Sequence, residues 1–105
     1  MDDITPQELK DLLEQSNPPK VIDVREDWEY EKCSIDGSLH IPMDQIEDHV
    51  DQLDAEEDIV VVCHHGMRSA QVAQYLIQTG FSNISNLAGG IDAWAREIDP
   101  AMEQY

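Results

Sequence analysis

Alternating strand-length and helix-length segments predict an α/β domain with a central parallel sheet of about four to five short strands, flanked by helices on both faces. Three observations carry this. Ile59-Val60-Val61-Val62 is a run of branched apolar residues, the composition of a parallel strand covered on both sides. Segments with apolar residues at helical spacing lie before and after it. Directly behind the run come a cysteine, two histidines and an arginine, at the carboxyl strand end where open parallel sheets bind ligands.

Taken in order, Thr5-Pro6-Gln7-Glu8 has a capping hydroxyl, proline at the first helical position and Glu three residues on, and Leu9, Leu12 and Leu13 supply one apolar face. This predicts a helix to about Gln15. Asn17-Pro18-Pro19 breaks it, and Lys20 to Val24 follows as a short buried strand. Glu26 to Lys32 reads as a second, short helix, Gly37 to Pro42 as a segment with a brief extended stretch. Apolar residues at 43, 46, 50 and 53 predict a third helix. Asp58 to Cys63 is the strongest strand. Ser69 to Gln78 is helical with Val72, Ala73, Leu76 and Ile77 inward, closed by Gly80. Asn83 to Leu87 is extended, and Gly89-Gly90 makes a tight turn into a last helix carrying Trp94. Trp28 and Trp94 read as packing residues.

A chain of 105 residues, 41% of them hydrophobic, suffices for one modest core, so residues 1–105 are read as one domain. Two cysteines and an acidic amino terminus fit a reducing cytoplasm better than a disulfide-dependent secreted protein. A net charge of −17, from 23 acidic and 6 basic residues, opposes binding to nucleic acid or an anionic membrane. An anion-handling site would therefore need its own local positive potential. The acidic stretch from Asp51 to Asp58 is a solvated surface, and a monomer is the expected state.

Cys63-His64-His65-Gly66-Met67-Arg68-Ser69 is where such a potential can arise. The segment can wrap into an arc with its backbone N–H groups inward, while a helix starting near Ser69 directs its positive end at the same spot. Those donors and the Arg68 guanidinium favour a thiolate at Cys63, which makes it the candidate nucleophile. Gly66 permits a backbone conformation that a side chain would disfavour, and Arg68 either contacts an anionic donor or braces the loop. Adjacent His64 and His65 beside one cysteine do not match zinc spacings, so no metal is expected. Asp23 and Arg25 either shape the active-site rim or form an ion pair that orders a strand end. Cys33 has no anion-cradle residues around it and reads as a structural thiol.

At this loop the sequence resembles the rhodanese-like domain family, and the likeness runs over nearly the whole chain. Val21-Ile22-Asp23-Val24-Arg25-Glu26 resembles the family's first signature strand, followed by Glu29-Tyr30 and Ile41-Pro42. Cys63 to Ser69 resembles its active loop, and Leu87-Ala88-Gly89-Gly90-Ile91-Asp92-Ala93-Trp94 its near-terminal signature. Departures are Cys33-Ser34-Ile35 where Gly-His-Ile is common, and Ser38-Leu39-His40 where Gly-Ala-Asn is usual. The stretch from Asp99-Pro100 to Gln104-Tyr105 is similar to the tails of rhodanese domains attached to ubiquitin-like-protein activating enzymes.

The resemblance implies the rhodanese-like fold and a sulfurtransferase that carries sulfur as a persulfide on Cys63, with His64 to Ser69 lining the substrate pocket and no cofactor. It implies partners such as thiosulfate, cyanide, thiols or a sulfur-carrier protein. Two alternatives stand beside it. One is a noncatalytic rhodanese-like binding or regulatory module, which loss of the cysteine would have marked. The other is a phosphatase or arsenate reductase on the same fold. Those relatives place a longer interval between Cys and Arg, whereas only four residues separate Cys63 from Arg68, an arc suited to a single sulfur.

Overall fold

The capping box written at Thr5 closes in the computed structural model, which describes residues 2–105. The Glu8 amide donates to the Thr5 hydroxyl at 3.1 Å, and the Thr5 amide to the Glu8 carboxylate at 3.0 Å, starting α1 (Pro6–Leu13). Five strands form one sheet: β1 (Asp2–Ile4), β2 (Lys20–Asp23), β3 (Leu39–His40), β4 (Ile59–Val62) and β5 (Ile84–Leu87). Their order is β1-β5-β4-β2-β3, and every pairing is parallel. The apolar β4 takes the centre, in register with β2 from Lys20↔Ile59 to Asp23↔Val62.

Side chains of β4 alternate between two cores, which is why a continuous apolar run was needed. Ile59, Val61 and Cys63 join Ile22 against Val72, Ala73 and Leu76 of α4 (Met67–Gln78) and Ile46 of α3 (Ile46–His49). Val60 and Val62 join Val21 against Leu9 of α1 and Ile91 and Trp94 of α5 (Gly90–Glu97). The remaining helix, α2 (Asp27–Lys32), follows β2 directly and stands at the carboxyl end of the sheet. No helix among the described residues is long and apolar enough to cross a membrane.

The α/β architecture with helices on both faces agrees with the sequence, and four details differ. The short edge strand β1 is absent from the sequence reading, because Asp2-Asp3-Ile4 has no apolar run; it exists by pairing with Ser85 to Leu87. The third helix is not continuous: 3₁₀ turns at Met43–Gln45 and Val50–Gln52 flank the single α turn of α3. Met43, Ile46, Val50 and Leu53 nevertheless pack on one core, so the apolar spacing reported the buried face rather than the helix type. Helix α4 begins at Met67, two residues before the expected Ser69. Trp28 is 56% exposed and is not a core residue, whereas Trp94 is.

Candidate active site

Cys63 is the first residue beyond β4, and its side chain is buried at 1% exposure. What shapes its loop is the start of α5. The Ile91 and Asp92 amides donate to the carbonyls of Cys63 and His64 at 2.8 and 3.1 Å. This approach requires glycine at position 90, where φ is +61° and a Cβ would overlap both carbonyl oxygens. Gly90 thus sets the distance between α5 and the reactive loop, a role beyond the tight turn that the sequence suggested.

With those carbonyls turned outward, donors turn toward the sulfur. The Gly66 amide donates to Cys63 Sγ at 3.0 Å, and the Ser69 hydroxyl lies 3.3 Å from it. Gly66, at φ +107°, is the N-cap of α4, whose first-turn amides have no intrahelical acceptor and present their positive end here. The Ser69 hydroxyl also contacts Asn86 Oδ1; it has one hydrogen and serves one acceptor at a time. Asn86, buried on β5, donates from Nδ2 to the Gly66 carbonyl and to Asp3 of β1, both at 3.2 Å. Sequence reasoning missed Asn86, although an amide between Ile84 and Leu87 in the short β5 was its signal.

Beneath the loop lies a chain of charges. Arg25 is fully buried, and all five of its N–H groups have acceptors. These are the Asp23 carboxylate (2.7–3.0 Å), the carbonyls of Glu29 (3.2 Å) and Cys33 (2.6 Å), and the Tyr105 phenol oxygen (2.9 Å). Asp23 and Arg25 are therefore interior and form a buried ion pair at the end of β2. The Tyr105 hydroxyl donates a hydrogen bond to Glu29 Oε2 at 2.7 Å, and Glu29 takes a two-pronged contact from Arg68 at 2.6 and 2.9 Å. Arg68, about one-third exposed, is turned to Glu29 and braces α4 against α2. The Arg68 guanidinium, helped by the Glu26 amide and Tyr105, holds the 3%-exposed Glu29 carboxyl down to about 2 against its burial.

His64 stacks between two rings, His65 and Tyr105, each at a centroid distance of 3.9 Å. Burial and then the neighbouring His65 push its pKa down, so it adds little positive charge near neutral pH. Met67 is 78% exposed, on the surface at the start of α4. Among the described residues His64, His65 and Asp92 form the one group able to offer a metal three ligand atoms within 4.8 Å of one another. Arg96 already engages Asp92 at 3.2 Å, so a metal would have to displace that contact. A groove of about 460 Å³ lies at the amino ends of the strands, between Asp58, Asn83 and Phe81, on the side opposite Cys63.

Comparison with known proteins places this geometry. A family model described as "Rhodanese-like domain" matches residues 5–97. Thiosulfate sulfurtransferase GlpE of Pseudomonas paraeruginosa is 38% identical over 98 residues, covering 93% of this chain and 86% of that protein. The putative sulfur carrier protein YrkF of Bacillus subtilis is 32% identical over 97 residues, which span 92% of this chain and 52% of that protein. The crystal structure of a rhodanese-like domain protein from Staphylococcus aureus superimposes with a TM-score of 0.87 at 37% identity, covering 100% of this chain and 99% of that one.

Two outcomes follow from the contacts described. Gly90→Ala is expected to cost about 2 kcal/mol or more in urea unfolding and to slow reaction of Cys63 with thiol reagents, since α5 must back away from the loop. Glu29 has a pKa below its unfolded value, so its pairing stabilises the fold fully above about pH 4.5 and is lost as pH falls through about 2. Glu29→Gln should lose about 2 kcal/mol at pH 7 and show a shallower loss of stability than wild type between pH 5 and about 2. Parallel curves for the two proteins would disprove the linkage.

Proposed function

Because the chain belongs to the rhodanese-like domain family and is a rhodanese-type sulfurtransferase, we propose that Cys63 carries the transferred sulfur as a persulfide between two half-reactions. The observation behind this assignment is the Cys63 sulfur at the floor of the loop, with the Gly66 N–H at 3.0 Å and the Ser69 hydroxyl at 3.3 Å.

In the first half-reaction the Cys63 thiolate attacks the outer sulfur of a donor such as thiosulfate. A sulfur–sulfur bond forms to Cys63, the donor's own sulfur–sulfur bond breaks, and sulfite leaves with the electron pair. Loop donors and the α4 terminus meet the negative charge on the new outer sulfur. In the second, cyanide or an acceptor thiolate attacks that outer sulfur and Cys63 leaves as thiolate, ready for another cycle. Donors of the small anionic kind approach along the free edge of Arg68, the face not spent on Glu29. No cofactor enters either step. A sulfur-carrier protein is a further partner class, supported by the relative named for that role.

The orientation of Arg68 weighs against phosphate or arsenate chemistry. A tetrahedral oxyanion draws several hydrogen bonds from the loop arginine, whereas Arg68 already gives both of its Nη groups to the buried Glu29 carboxylate. One anionic sulfur needs only the amide arc.

Intact-mass measurement of the reduced protein after thiosulfate is expected to show one added sulfur, about 32 Da, which cyanide removes and which Cys63→Ser never acquires. A gain that persists in Cys63→Ser would sink the assignment. Ser69→Ala is expected to load sulfur about tenfold more slowly in rapid-quench kinetics; an unchanged rate would mean that its hydroxyl serves Asn86 alone.

A further inference from the structure

Tyr105 lies 42 positions from Cys63 in sequence, yet it touches both the Cys63 loop and the charges beneath it. Its ring stacks on His64 at 3.9 Å, nearly parallel at 11°, and meets the exposed Trp28 edge-on at 5.5 Å. Its hydroxyl accepts from Arg25 at 2.9 Å and donates to Glu29 at 2.7 Å, so neither hydrogen-bonding role is left open. Cys33, Ile91 and Ala95 line the narrow space beside His64 and Tyr105. Burial then raises the phenol's pKa, with Arg25 opposing and Glu29 adding to the shift, and keeps it a proton donor to Glu29 at neutral pH.

We infer that Tyr105 is a positioning residue for sulfur transfer: its ring fixes His64 on the Cys63 loop while its hydroxyl fixes the carboxylate that aims Arg68. This rests on the sulfurtransferase reading of Cys63 above. The two contacts act on different parts of the site. Stacking restrains the His64 ring, and α5 holds the carbonyls of Cys63 and His64, so two independent contacts fix the start of the loop. The hydroxyl takes the Glu29 oxygen that binds Arg68 Nη2 and so selects which edge of the guanidinium remains for a donor anion. Preorganisation of this kind is lost steeply with small displacements.

Two variants separate the roles. Tyr105→Phe keeps the stack and removes the hydroxyl; Tyr105→Ala removes both. Sulfur loading from thiosulfate is expected to show a KM raised about threefold with little change in maximal rate for Phe, because the donor's anion contact shifts. For Ala, loss of the stack should lower loading kcat/KM about tenfold, in kcat as well as KM. In ¹H–¹⁵N spectra the amides of Cys63 to Gly66 should move in Ala and stay near wild type in Phe, with circular dichroism confirming that both variants fold. Loading at or above the wild-type rate in Tyr105→Ala, or loop amides unmoved in it, would overturn the inference. If wild type itself takes no sulfur from thiosulfate, that donor assignment fails, and the loop amides still decide the role of Tyr105.

Discussion

A guanidinium buried without partners is among the costliest groups a small protein can enclose, and the carboxyl end of this sheet is organised around one. Arg25 is tolerated because Asp23, two residues back on β2, supplies the countercharge, and three further acceptors come from α2, the segment after it and Tyr105. Those acceptors can converge only if α2 docks over the end of β2. That docking puts Glu29 beneath the reactive loop, and Glu29 in turn fixes Arg68 at the start of α4. One charge-burial problem therefore propagates into the placement of the loop arginine.

The same arrangement resolves the tension between an acidic chain and anionic chemistry. Arg25 and Arg68 are each paired with a carboxylate, which offsets much of their charge. The sulfur is met instead by fixed dipoles: the Gly66 amide, the Ser69 hydroxyl and the start of α4. Dipoles act over a few ångströms, at which range surface carboxylates screened by salt have little influence. A site built this way suits one anionic sulfur atom better than a multiply charged oxyanion.

Much of this was legible in the chain itself. The branched run at 59–62 specified the central strand, because only a strand covered on both faces uses apolar residues in succession. Thr5, Pro6 and Glu8 wrote their helix start locally. Cys63 and its loop stood out through residue types that have little use in a core. Less legible were β1, whose existence comes from its partner strand, and the third helical segment, whose spacing described burial but not hydrogen bonding.

Local sequence thus determined most of the elements, the α/β class and the candidate nucleophile Cys63, since strand composition, capping chemistry and a cysteine in a glycine-containing turn are short-range properties. Tertiary structure alone decided what surrounds that sulfur. Asn86, Glu29, Gly90 and Tyr105 lie 23, 34, 27 and 42 positions from Cys63, and their pairings follow from β5 lying beside β4, α2 capping β2 and α5 meeting the loop. A side chain records its own preference for burial or charge. Which distant partner satisfies that preference is settled only when the sheet brings them together.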